Sequence, residues 1–159
     1  MKKLFYIIVF FIYSFFSYAD NNHQEKIDEL FNQLKNTTNY QESKEIESEI
    51  WELWTTHPSK NNLTALMADG SFYMSQNKLK TAYETFTQTI ILDPNWAEAW
   101  NKRATVLYLM GEYELSQADI NKVLELEKRH FGALSGQGLV QAALNNYQKA
   151  IDSYIEAHK

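Results

Sequence analysis

The side chains able to do chemistry in this sequence are few, and their spacing works against it. His23, His57, His130 and His158 lie far apart, and none stands at helical spacing from another. A helical metal pair needs two ligands on one face, so these four do not make one. The chain has no cysteine, which excludes disulfides, thiol nucleophiles and cysteine zinc sites together. Gly132, Gly136 and Gly138 follow no strand-like run, so they read as helix packing features rather than a phosphate-cradling loop. The acidic run Glu42, Glu45, Glu47, Glu49 and Glu52 is broken by Lys44 and apolar residues. Without calcium-loop spacing it reads as a solvated helix face. No nucleophile elbow or Ser–His pairing is visible. The expectation is a chain with no catalytic residues, no metal site and no cofactor.

What positions these residues is a repeat of 34. Leu66, Gly70, Tyr73, Leu79, Ala82, Phe86 and Thr89 are answered by Trp100, Ala104, Leu107, Tyr113, Ser116, Ile120 and Val123. They are answered again by Leu134, Gly138, Gln141, Tyr147, Ala150, Tyr154 and Ala157. A fixed period of this length means stacked supersecondary units. Apolar residues recur at three- and four-residue spacing, which makes the units helical. First helices are expected over 62–75, 96–110 and 130–144, and partner helices over 79–91, 113–127 and 147–158. Asn77, Gly111 and Asn145 fall between partners, where a turn favours residues tolerating a left-handed backbone. Upstream, Ile27, Leu30, Phe31 and Leu34 make one stripe, and Ile46, Ile50, Leu53 and Trp54 another. Thr38 and Gln41 have the spacing of a capping box for the second of these helices. Of the four tryptophans, Trp54 and Trp100 read as core, and Trp96 is the least constrained.

The first 19 residues differ from the rest. Met1-Lys2-Lys3, an apolar run from Leu4 to Phe16 and Ser17-Tyr18-Ala19 before Asp20 have the pattern of a secretory signal peptide. The run is shorter than the about 20 apolar residues a spanning helix needs. Cleavage after Ala19 and a periplasmic or secreted location are therefore expected, with membrane contact only through this segment. Its removal leaves 13 basic residues against 20 acidic ones, a formal charge of −7. Such a balance argues against nucleic acid as a partner, since phosphates require a basic face.

Gly70, Tyr73, Ala82, Phe86 and Pro94, then Trp100, Ala104, Gly111 and Tyr113, then Gly138, Tyr147, Ala150 and Tyr154 resemble the tetratricopeptide repeat. The resemblance covers most of residues 20–159 and is closest in character to small exported bacterial members. It implies an all-α solenoid of antiparallel helix pairs wound as a right-handed superhelix. Three repeats are expected, at 63–96, 97–130 and 131–159, after a degenerate helical cap over 20–61. It also implies a non-enzymatic protein-interaction scaffold in the cell envelope, with a peptide or protein partner in a concave groove lined by the first helices.

By helical spacing the groove candidates are Met67, Ser71 and Met74 in the first unit. Glu98, Asn101, Thr105, Tyr108 and Leu109 follow in the second, and Ser135 and Leu139 in the third. The clamp some relatives use for a C-terminal carboxylate needs basic residues where Gly132 and Gly136 stand, so that mode is not expected. The pattern asks for Leu where Asp69, Arg103 and Gln137 occur. These three are expected to form a polar ladder from unit to unit, with Asp69 pairing to Arg103. The alternative function is self-association, as a structural module or an assembly subunit of an envelope complex. A homodimer contact would use the apolar edge of the last helix, at Ile151, Tyr154 and Ile155.

Overall fold

The computed structural model describes residues 21–158; the signal segment expected over 1–19 lies outside them. Within the described residues there are eight α-helices and no strand. The chain divides between Asn61 and Asn62 into two compact units. The first contains α1 (21–36) and α2 (Tyr40–Thr55). Ile27 and Leu30 of α1 are buried, as are Ile46, Ile50 and Trp54 of α2. Phe31 and Trp51 close on Trp54 with ring centroids 6.0 and 5.5 Å away. Both expected stripes are thus the inner faces of this pair. The cap of α2 differs from the expected box. Asn39, not Thr38, accepts from the backbone N–H groups of Gln41 and Glu42, at 2.9 and 3.3 Å. Thr37 supplies the supporting hydroxyl, which accepts from the Asn39 N–H. The motif is shifted by one residue because an asparagine side chain is the better acceptor at a helix start.

The second unit contains three helix pairs, α3 (Asn61–Ser75) with α4 (Leu79–Leu92), α5 (Ala97–Leu109) with α6 (Tyr113–Leu126), and α7 (Phe131–Ala143) with α8 (Tyr147–Ala157). Each pair turns in the same way. Asn77, Gly111 and Asn145 have φ of 55°, 83° and 63°. Each turn residue donates its N–H to the carbonyl three residues back, and its successor donates to the carbonyl five residues back. This is the Schellman closure, which satisfies the orphan carbonyls of the first helix and reverses the chain. The expected left-handed positions are therefore the ones that hold each pair antiparallel.

Packing follows the period as well. Phe86 lies against Gly70, and Tyr154 against Gly138. A Cβ added at Gly70 would stand 2.5 Å from the Phe86 ring, and one at Gly138 would stand 2.6 Å from the Tyr154 ring. The middle unit has Ala104 and Ile120 at the equivalent places, in a core with Val123, Ala133 and Val140. Where the partner residue is aromatic the first helix carries glycine, and where it is aliphatic alanine suffices. Ser116 reinforces that pair by donating its hydroxyl to the Ala104 carbonyl at 2.8 Å.

Candidate functional site

Between α5 and α7 the stack leaves a cleft of about 50 Å³. Asn101, Ala104, Thr105 and Tyr108 of α5 form one wall, and Gly136, Leu139 and Val140 of α7 the other. Ser116 and Ile120 of α6 form the floor. Four of the expected groove residues are brought together here, namely Asn101, Thr105, Tyr108 and Leu139. The others are not. Met67 is 2 % exposed and belongs to the core with Leu63, Phe86 and Ile90. Met74 packs against that same core, and the Ser71 hydroxyl donates to the Met67 carbonyl. Leu109 is 53 % exposed and Ser135 half-buried, both outside the cleft lining. Spacing along one helix suggests the groove for Met67, whereas the structure packs it against Ala82, Phe86 and Ile90 of α4.

The floor and Gly136 were not anticipated. Ser116 and Ile120 sit on a partner helix, which a search along first helices does not reach. Gly136 did carry a signal. Its counterpart 34 residues earlier is Lys102, whereas Gly138 answers Ala104 and Gly70. It is a helical glycine outside the small-residue column.

The expected Asp69–Arg103 pair is replaced by another. Arg103 donates through Nε and Nη2 to the two carboxylate oxygens of Asp119, at 2.7 and 2.8 Å. Its Nη1 reaches the Thr87 hydroxyl at 3.3 Å, and its guanidinium lies 4.9 Å from the Trp100 ring and 5.6 Å from that of Tyr83. The hydrogen bonds to Asp119 raise the Arg103 pKa above the ordinary arginine range, against the opposing effect of burial. Gln137 likewise turns to its own partner helix and accepts from the Ser153 hydroxyl at 3.0 Å. Asp69 is exposed, and Thr85 directs its hydroxyl to the Thr81 carbonyl instead. The column is polar, but its bonds run 16 residues on to the second helix of the same unit. The reason is geometric. This face of a first helix looks into its own hairpin and onto the preceding partner helix.

A second polar cluster stands behind Asn101. Glu98 is 1 % exposed and His130 fully buried, so Glu98 is not a groove residue as spacing suggested. Its Oε2 receives the Asn101 amide and lies against His130 Nε2, both at 2.9 Å. His130 Nδ1 accepts the Ala133 N–H at 3.1 Å, capping α7. An amide N–H can only donate, so the network assigns the ring proton to Nε2, which donates to Glu98. Lys102 Nζ stands 3.2 Å from Glu98 Oε1. That contact lacks hydrogen-bond geometry and acts as a charge pair. Glu98 therefore ties α5 to the start of α7 and fixes one end of the cleft. Trp96 occupies the equivalent N-cap position of α5 without a side-chain capping bond and is 9 % exposed within the core, so it is more constrained than its sequence context implied. Trp100 is partly buried, its indole N–H held by the Pro94 carbonyl at 2.9 Å.

The tetratricopeptide repeat profile matches residues 97–130, the unit that supplies α5 and α6. A TPR repeat-containing protein of Rhizobium etli is 34 % identical over 137 residues, 86 % of this chain. The chain belongs to the tetratricopeptide repeat family. It spans 66 % of the length of the Rhizobium relative. Hsp70-Hsp90 organizing protein 3 of Arabidopsis thaliana is 26 % identical over 57 % of the chain, which corresponds to 16 % of that protein. Among solved structures, the TPR2AB domain of yeast Sti1 in complex with pHSP90 superposes with a TM-score of 0.59 at 18 % identity. That superposition covers 86 % of this chain and 55 % of the other. The fold of this tetratricopeptide protein is thus the helix-pair solenoid its period implied.

Proposed function

We propose that this tetratricopeptide protein is a non-enzymatic docking scaffold of the cell envelope that holds a peptide or protein segment in the α5–α7 cleft. The cleft itself carries the reading. None of its nine lining residues is charged, and Leu139 stands 47 % exposed at its edge. Hsp70-Hsp90 organizing proteins are among the relatives, which supports a protein partner. The basic start and short apolar run at the N-terminus support export. Thr105 and Leu139 are both exposed, so Thr105→Glu with Leu139→Glu alters the surface and spares the core. The double variant is expected to lose partner capture by at least tenfold with an unchanged circular dichroism spectrum. Undiminished capture by that variant would remove the cleft from consideration.

A second reading, self-association, has its own observation. Tyr147, Ile151 and Ile155 of α8 form a stripe at four-residue spacing, exposed by 62, 52 and 55 %. Ile151 is equivalent to Gln117 and Tyr83, and both of these meet the first helix of the following unit. Tyr83 does so at the Arg103 guanidinium, and Gln117 by accepting from Gln141 at 2.6 Å. Ile151 thus occupies a stacking position. Light scattering is expected to show a concentration-dependent dimer that Ile151→Glu reduces to monomer. A monomer at all concentrations would eliminate this reading and leave the cleft reading intact.

A further inference from the structure

We infer that copies of this chain stack head to tail, the α8 face of one seated on the α3 face of the next. The inference rests on the self-association reading and names the surface that α8 meets. In the second and third helix pairs, one column of the first helix turns toward the pair before it. It is Ala99, Arg103 and Val106 in α5, and Ala133, Gln137 and Val140 in α7. Ala99 and Val106 join the core built on α3 and α4, and Ala133 and Val140 the one built on α5 and α6. These four are at most 1 % exposed. The same column in α3 is Ala65, Asp69 and Phe72, and all three are exposed, Phe72 by 59 %. An aromatic ring thus stands in solvent at a position where the other two pairs bury valine against a neighbour.

The occupant follows from continuity with the contact that already joins one pair to the next. Tyr83, the α4 counterpart of Ile151, packs against the core that holds Val106. In a head-to-tail contact Ile151 takes the place of Tyr83, and Phe72 that of Val106. The aromatic and the aliphatic residue change sides, so the volume to be filled is nearly kept, as a close-packed contact requires. Ile155 extends the α8 face. Its counterparts are Thr87 and Asn121, and Thr87 meets the following first helix by accepting from Arg103. Isoleucine there, 55 % exposed, gains by burial where those two gain by hydrogen bonding. Asp69 is the polar member of the α3 face. Arg103 and Gln137 each bond the residue 16 positions on in their own hairpin, and for Asp69 that residue is Thr85. The Thr85 hydroxyl, donated to the Thr81 carbonyl in the free chain, can turn to the carboxylate as water leaves. A contact between two different faces does not close within a pair, so association continues past the dimer.

The test is complementation between two variants of the full chain, read by light scattering. Phe72→Glu spoils the α3 face and leaves the α8 face sound, and Ile151→Glu does the reverse. Both side chains are more than half exposed, so circular dichroism is expected to be unchanged. Each variant alone is expected to self-associate at least tenfold more weakly than the parent. Their equimolar mixture is expected to form a dimer at the concentration where the parent associates, and to stop there, because one sound face remains on each copy. The mass of the parent is expected to keep rising past the dimer. If Phe72→Glu associates as the parent does while Ile151→Glu does not, α8 meets a face other than α3. Head-to-tail stacking is then overturned and self-association stands. A mixture that stays monomeric also overturns it, since Phe72 and Ile151 would not be each other's partners. A parent that is monomeric at all concentrations overturns both.

Discussion

Asp119→Ala is expected to destabilise the protein by about 3–5 kcal/mol, the cost of leaving a buried charge without its partner. The Arg103 and Asp119 side chains are only 15 and 7 % exposed, so water does not take the place of the lost carboxylate. Flanking Trp100 and Tyr83 rings stabilise the cation but satisfy none of its fork of donors. Urea unfolding of the single variant measures the loss, and a loss below about 1 kcal/mol would class the pair with screened surface bridges. Replacing both partners, Arg103→Met with Asp119→Leu, is expected to cost far less and to fall within about 1 kcal/mol of the parent. Both halves of the charge then leave together, and methionine follows the same path between the rings. The same double variant decides whether the polar column touches a partner. Peptide affinity is expected to be unchanged, because Arg103 directs every donor group into its own hairpin or the helix before it.

Most of the fold was legible in the period. A column such as Gly70, Ala104, Gly138 fixes which helix face is crowded, and Asn77, Gly111, Asn145 fix where each pair reverses. These are local or single-column properties, and one sequence displays them. The misassignments share a different cause. The 34-residue spacing of Asp69 and Arg103 suggests a pair, yet the contacts that form are 16 apart, between a first helix and its own partner. Spacing on α3 alone suggests the groove for Met67, and spacing on α5 alone suggests it for Glu98. Each instead faces a second element, α4 for Met67 and the start of α7 for Glu98. The Glu98–His130 bond joins residues 32 apart that no motif links. A repeat states what is equivalent, whereas a site depends on what is adjacent, and adjacency appears only when the pairs are packed.

The 16-residue offset makes a prediction that separates adjacency from equivalence. Phe86→Ala is expected to cost about 3–5 kcal/mol, since it removes a fully buried ring from the first core and leaves a void. Gly70→Ala is expected to cost about 1–3 kcal/mol, because its methyl collides with the same fully buried ring. The middle unit shows how the conflict is resolved, with Ala104 facing Ile120 in place of Gly facing Phe. Gly70→Ala combined with Phe86→Ile transplants that arrangement. The isoleucine withdraws the ring edge, and the alanine methyl fills part of the space it vacates. The double variant is therefore expected to be more stable than the sum of its two single changes predicts, by about 1 kcal/mol or more, the scale of coupling between residues in contact. Thermal and urea unfolding of the four proteins in the cycle give that coupling directly. Strict additivity would mean that the small and large residues of a unit are chosen independently, and that their alternation along the chain is not a packing rule.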